Sequence, residues 1–182
     1  SIVMLAVIMG LMLAFDMGGP INKVAYAFML ICVAQGVYTV VAIAAVGICV
    51  PPLGLGLATL VGRKNFSSEE REAGKAALVM GCVGVTEGAI PFAAADPLRV
   101  IPSIMLGSAC GAVTAALFGA QCYAGWGGLI VLPVVEGKLG YVVAVAVGAV
   151  VTAVCVNVLK SLARKNVSQT DEKEDDLDLD FE

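Results

Sequence analysis

Long apolar runs alternate along the chain with a few compact polar breaks. Residues 1–15 (SIVMLAVIMGLMLAF) carry no charge, and neither do the 39 residues of 24–62. A helix rises about 1.5 Å per residue, so a hydrocarbon core of about 30 Å takes about 20 apolar residues. The first run is most of one span. The second would reach about 58 Å as a helix, too long for one crossing and barely enough for two. Pro51 and Pro52 predict the break, because neither donates a hydrogen bond and each ring collides with the preceding turn. The expected elements are a span over 24–50, bent near Gly36, and a short returning segment over 53–61. Residues 63–75 (RKNFSSEEREAGK) form the main charged loop, where Ser67 or Ser68 can cap a short helix with Glu69, Glu70 and Glu72 near its N-terminus. Residues 76–95 are long enough to cross but contain Thr86-Glu87-Gly88 and Pro91. Residues 98–120 predict a span entered through Asp96-Pro97, an N-cap and first-turn pair. Residues 121–137 are interrupted by Gly, Trp and Pro, and 139–159 predict a clean last span.

Composition turns this pattern into a class. Apolar side chains make up 59% of the 182 residues, with 21 glycines besides, and only 14% are charged, against about 25% in a soluble domain. That leaves too little polar surface for a water-soluble enzyme or a nucleic-acid binder. The expected fold is an all-α, polytopic membrane helical bundle with re-entrant hairpins. The net charge of −4 is uneven: residues 171–182 hold eight acids and one base, leaving the rest at +3. This divides the chain into a membrane domain over 1–165 and an acidic, disordered tail over 166–182. The first apolar run has no basic flank or cleavage motif and reads as the back end of a transmembrane helix rather than a signal peptide; the chain is expected to be part of a longer protein.

Four basic residues lie in 63–75 (Arg63, Lys64, Arg71, Lys75) and three follow the last span (Lys160, Arg164, Lys165). Basic residues stay on the cytoplasmic side, so both segments are expected there. An even number of crossings must then separate them. Spans 98–120 and 139–159 supply two, which makes 76–95 a re-entrant hairpin broken near 86–91. The six cysteines form no CxxC pair and there is no histidine, so Cys/His zinc sites and His-based triads are excluded. The cysteines are expected to be reduced and structural, and no cofactor or metal is expected.

Two stretches put helix breakers and polar groups at membrane depth: FDMGGPINK (15–23) and GVTEGAIPF (84–92), the latter running on to Asp96-Pro97-Leu98-Arg99. Irregular backbone is tolerated in a bilayer only where protein buries it or a wet cavity meets it, and transporters build substrate sites from such breaks. Glu87 is the most informative residue, since an intramembrane carboxylate survives only when paired, protonated or used. It reads as an acceptor for a polar ligand; an interfacial glutamate at a loop tip is the bland alternative. Thr86, Gly88, Asn22 and Lys23 are its candidate companions, although a lysine at a span end also snorkels to headgroups. Asp96 and Arg99 read chiefly as a helix cap and an i,i+3 pair. Gln121, Tyr123 and Trp126 are candidates for a pore lining or for an ordinary aromatic belt.

GGPINKVAYAF (18–28) and GVTEGAIPFAAADPLRVIPS (84–103), together with VPPLG (50–54) and EEREAGKAALVMG (69–81), resemble the fructose-type IIC membrane component of bacterial sugar phosphotransferase systems. The resemblance covers about residues 10–160; the N-terminal part of that membrane domain and the phosphate-carrying IIA and IIB domains are not in the chain. It implies a vectorial transporter that binds a fructose-like sugar while a phosphocysteine on IIB phosphorylates it, with IIA, HPr and enzyme I acting upstream. It implies the bacterial inner membrane, and a homodimer for the full-length protein. By similarity to the wider superfamily, Glu87 binds a sugar hydroxyl. Many relatives there also use a histidine, which this chain lacks. The donor's negative charge is to be balanced by Lys23, Arg99 or the partner. Two rival readings stand beside this one. In an ion-coupled secondary transporter Glu87 would hold a proton or cation, and a non-transporting membrane scaffold would need no ligand.

Overall fold

The computed structural model describes residues 1–179, with side chains through residue 169. Seven helices carry it: α1 (Ile2–Phe15), α2 (Pro20–Ala34), α3 (Tyr38–Val61), α4 (Ser68–Val83), α5 (Ile90–Ala95), α6 (Pro97–Phe118) and α7 (Lys138–Leu179). Short 3-10 turns occupy Arg63–Asn65, Thr86–Ala89 and Leu129–Val134, and two two-residue strands, β1 (Gln121–Cys122) and β2 (Val135–Glu136), pair antiparallel. Three helices are long and apolar enough to cross a membrane: α3, α6 and α7 over Lys138–Gln169. This is an all-α membrane bundle, and the chain is a multi-pass membrane protein.

The break expected at Pro51-Pro52 is not there. α3 runs unbroken through both prolines, and the chain breaks instead around Gly36, which sits at φ +74 between α2 and α3. So there is no span over 24–50 and no separate returning segment over 53–61. The reason lies in what replaces the missing hydrogen bonds. In a helix the N–H of residue i bonds the carbonyl of residue i−4, so Pro51 and Pro52 leave the Gly47 and Ile48 carbonyls without their helical partners. Ser108 Oγ on α6 donates to the Gly47 oxygen at 3.3 Å, and Thr86 Oγ1 donates to the Ile48 oxygen at 3.1 Å. Hydroxyls on neighbouring segments are one of the means by which proline is tolerated inside intramembrane helices. Both are buried, so no water competes for these bonds.

α3 is the centre of the bundle and is buried along most of its length, whereas α6 and still more α7 leave much of their apolar surface facing outward. Small residues let the helices close on it, as expected where lipid supplies no hydrophobic drive between helices. A Cβ at Gly10 of α1 would lie 2.7 Å from the Ser108 carbonyl oxygen of α6, and one at Gly107 would overlap Thr152 of α7. Thr152 Oγ1 is the one buried side-chain oxygen without a hydrogen-bond partner among the described residues.

The expected loop cap forms at Ser67: its side chain accepts from the Glu70 N–H while the Glu70 carboxylate accepts from the Ser67 N–H. It starts a full helix of 16 residues rather than a short one. Asp96, expected as an N-cap, makes no side-chain cap bond; its carboxylate pairs with Arg99 at 2.9 Å instead. The loop and the end of α7 lie at one end of the bundle. Asn65 Nδ2 donates to Asn157 Oδ1 (3.3 Å) and Ser161 Oγ (3.2 Å), Lys160 pairs with Glu70 (3.4 Å) and sits 4.4 Å from the Phe66 ring centroid, and Arg164 donates to the Lys64 carbonyl. The tail boundary expected at residue 165 falls inside α7. The acidic side chains beyond residue 169 lie outside the described side chains, and 180–182 lie outside the described residues.

Ser108→Ala is expected to destabilise the bundle by about 1 kcal/mol, the scale of a buried intramembrane hydrogen bond. In a Pro51→Ala background the restored N–H at position 51 can serve the Gly47 carbonyl, and the same change should be close to silent. Thr152→Val, which removes a hydroxyl already unpartnered, should cost nothing. A double-mutant cycle by thermal unfolding of the detergent-purified protein checks this; an equal loss in both backgrounds would show that Ser108 does not replace the proline's bond.

Candidate functional site

The two polar breaks fold against each other. The first joins α1 to α2. Pro20 has no N–H, and the next two amides of α2, Ile21 and Asn22, donate to the Asp16 carboxylate at 2.8 and 2.9 Å. A carboxylate is favoured there by the helix dipole as well as by the bonds. Asn22 is buried, and its Nδ2 donates to the Leu13 carbonyl at 2.7 Å, tying the end of α1 to the start of α2. The turn between needs left-handed backbone at Met17 (φ +47) and Gly18 (φ +103). Gly18 is also where the second break arrives: a Cβ there would lie 2.9 Å from Glu87 Cδ and would overlap its Oε1.

The second break follows α4, which ends with Gly84 at φ +94 and the Val85 N–H returning to the Met80 carbonyl at 2.8 Å. The 3-10 turn Thr86–Ala89 then presents Thr86 to α3 and Glu87 to the Gly18 turn. Gly88 points elsewhere; a Cβ on it would meet Pro52 Cβ at 3.1 Å and Met80 Cβ at 3.2 Å, so it wedges between α3 and α4. A third element closes the arrangement. In the interrupted segment between α6 and α7, Trp126 Nε1 donates to the Val83 carbonyl at 2.7 Å, and Tyr26 Oη donates to the Gly125 carbonyl at 3.0 Å. The Tyr26 and Trp126 rings meet edge to face, 6.2 Å between centroids.

Between these elements lies a cavity of about 160 Å³, lined by Asn22, Lys23 and Tyr26 of α2, Ile48 of α3, the Gly84–Glu87 turn, and Trp126. It is smaller than the roughly 300–1,000 Å³ of drug-sized sites and suits a small polar solute. Its polar side chains are the Glu87 carboxylate, the Lys23 ammonium, the Asn22 amide and the Thr86 hydroxyl, beside the Tyr26 and Trp126 rings, whose O–H and N–H are spent on the Gly125 and Val83 carbonyls. Neither Glu87 nor Lys23 takes part in an ion pair among the described residues, which leaves both open to a ligand.

Of the residues singled out from sequence, Glu87, Thr86, Asn22 and Lys23 line this cavity; Gly88 and Arg99 do not. Arg99 is on the first turn of α6, paired with Asp96. Thr86 has its hydroxyl hydrogen committed to the Ile48 carbonyl, so toward a ligand it can only accept. Tyr26 was not singled out, although it follows Asn22 by four residues and so shares its helix face. Trp126 reads in the sequence equally as a belt residue, and only the fold brings it to the turn. Among the described residues no group of His, Cys, Asp and Glu is placed to hold a metal ion.

Comparison with known proteins gives the following. Over all 182 residues the chain is 93% identical to "Fructose-like permease IIC component 2" of Escherichia coli (strain K12), of which it spans 51%. It is 43% identical over 160 residues, 88% of the chain, to "Fructose permease IIC component" of Bacillus amyloliquefaciens, of which it spans 52%. It is 49% identical over 163 residues, again 88% of the chain, to "PTS system fructose-specific EIIB'BC component" of Xanthomonas campestris pv. campestris, spanning 28% of that longer protein. The chain thus spans about half the length of the IIC relatives it matches. No protein-family model matches it, and no solved structure matches it.

Gly36 and Gly18 both sit at positive φ, but a Cβ at Gly36 meets nothing within 4 Å. Gly36→Ala should therefore cost only the backbone preference, about 1 kcal/mol, whereas Gly18→Ala must also displace the Glu87 carboxylate and should cost clearly more. Thermal unfolding of the two variants checks this, and equal losses would show that the two breaks are not in contact.

Proposed function

We propose that this chain, which matches the C-terminal IIC part of fructose-specific phosphotransferase components, binds a fructose-like sugar in the cavity between Asn22 and Glu87 and carries it across the membrane while a phosphorylated IIB partner phosphorylates it. The observation that carries this is the meeting of the two breaks, which sets a carboxylate and an ammonium, neither in an ion pair among the described residues, in one small cavity beside two aromatic rings. Glu87 accepts hydrogen bonds from sugar hydroxyls, the Asn22 amide and Thr86 oxygen fix orientation, and Tyr26 and Trp126 offer apolar surface to the ring's C–H groups. Lys23, rather than the Asp96-bound Arg99, offsets negative charge at the site.

Phosphoryl transfer rests on positioning and charge compensation. In this reading Glu87 orients the attacking hydroxyl and takes its proton as the phosphoryl group arrives, and the phosphoryl donor belongs to IIB. The fused name of the Xanthomonas relative supports a IIB partner; IIA, HPr and enzyme I supply phosphate to it, and the full-length protein works as a homodimer. The loop 63–75 and the end of α7, which share one end of the bundle, face the cytoplasm of the bacterial inner membrane, in keeping with their seven basic residues. From that end α4 climbs 16 residues, about 24 Å, to reach the cavity. A donor held in the cytoplasm therefore meets the sugar only after the site moves toward it. The names of the relatives do not favour the ion-coupled or scaffold readings.

Glu87→Gln in the full-length protein should abolish phosphoenolpyruvate-dependent labelling of fructose in inverted vesicles supplied with the soluble partners, with membrane insertion unchanged. Normal labelling by that variant would remove Glu87 from the site. If the wild type labels no hexose in a panel and takes up sugar on an ion gradient instead, the phosphotransfer reading falls.

A further inference from the structure

A second cavity, also about 160 Å³, lies at the basic end of the bundle where α3 gives way to α4. Thr59, Leu60, Arg63, Arg71, Glu72 and Lys75 are among its lining residues. Three cations face one carboxylate there. Lys75 Nζ pairs with Glu72 at 2.9 Å and holds its carboxyl below the usual carboxylate range, so Glu72 stays ionised and tied to that lysine. Glu70, on the first turn of α4, is engaged by Lys160 and by the Ser67 capping box. The Arg63 and Arg71 guanidinium groups are left without a carboxylate partner among the described residues; Arg71 is steadied by a bond from its Nε to the Ser67 carbonyl at 3.4 Å. Beside this cavity the apolar end of α3 is bare, Leu60 at 57% and Val61 at 73% exposed.

A cavity with two arginines that no carboxylate opposes among the described residues, adjoining exposed apolar side chains at the end of a membrane-spanning helix, has the two-part chemistry of a phospholipid: phosphate for the guanidinium groups, acyl chain for Leu60 and Val61. Arginine matches phosphate with paired, directed N–H groups, and basic pockets on the cytoplasmic side of helical bundles take anionic headgroups. The position argues against the phosphoryl-transfer step as the reason for the charge, since the length of α4 separates this cavity from Glu87. We propose that this cavity binds the phosphate of an anionic phospholipid headgroup, with Arg63 and Arg71 as its ligands.

The test uses the purified full-length protein in nanodiscs of phosphatidylcholine alone or mixed with phosphatidylglycerol, read by thermal unfolding and by native mass spectrometry of retained lipid. The wild type should retain phosphatidylglycerol and unfold at higher temperature with it. The pair Arg63→Gln and Arg71→Gln should weaken that binding about fivefold for each charge removed. Lys138→Gln, at the other end of α7, should leave it unchanged. If the double variant fails to fold, each single glutamine variant, expected to lose about fivefold, gives the same reading. No preference for phosphatidylglycerol in the wild type, or a preference that survives both glutamines, overturns the proposal. So does stabilisation by inorganic phosphate in phosphatidylcholine discs equal to that of the lipid, which would make the ligand a soluble anion. Unchanged lipid retention in the glutamine variants, with weakened binding of phosphorylated IIB, would overturn it in favour of a protein-docking surface.

Discussion

Two adjacent carbonyls in the middle of α3, on Gly47 and Ile48, cannot be served by their own helix because residues 51 and 52 are prolines. In the apolar centre of a bundle leaving a carbonyl unpaired costs about 1 kcal/mol or more, so another segment is drawn to each. Ser108 brings α6 and Thr86 brings the turn after α4. One local defect thereby holds a transmembrane helix on one side and the most chemically loaded turn of the chain on the other. The register of Glu87 follows from it: with Thr86 bound to α3, the next side chain is delivered to Gly18 and the α1–α2 turn.

The cavity then needs little further construction. Its walls are the ends of elements tied down elsewhere: the first amides of α2 by the Asp16 carboxylate, and the end of α4 by its left-handed glycine and by the Trp126 indole, which donates to the Val83 carbonyl. The charged side chains there, Glu87 and Lys23, have no ion pair among the described residues, and the Lys23 ammonium lies 5.9 Å from the Tyr26 ring centroid. A charged group in this setting is tolerated where it meets a wet cavity or a partner, and a small polar site supplies the cavity.

Much of this was legible in the sequence because it rests on length and local rules. The spans α6 and α7 begin within a residue of where apolar length and the Asp96-Pro97 and Lys138 positions put them, and the Ser67–Glu70 capping box follows from spacing alone. The break between α4 and α5 was visible in the Gly, Thr and Glu of 84–88. The continuity of α3 was not, because it depends on hydroxyls 38 and 61 residues from the carbonyls they reach; local propensity reads two prolines as a stop. The i,i+3 spacing of Asp96 and Arg99 announces their ion pair, whereas the cap also expected of Asp96 does not form, because its carboxylate takes the charge rather than the helix amides. Tyr26 and Trp126 join the site only through a contact across 99 residues of chain, from Tyr26 to Gly125, which no periodicity announces. The two-residue strands likewise record how the segment before α7 folds back rather than any strand-like pattern.

Trp126, the only tryptophan in the chain, stands in the cavity wall and makes the central claim open to a direct measurement. Fructose would be titrated into the full-length protein while the tryptophan emission is followed, with Trp126→Phe identifying the signal and Glu87→Gln testing the site. A saturable change that disappears in both variants is the predicted result. A sugar-dependent change of equal affinity in Glu87→Gln, or sugar binding that leaves Trp126 unaffected, would contradict the assignment of this cavity as the sugar site.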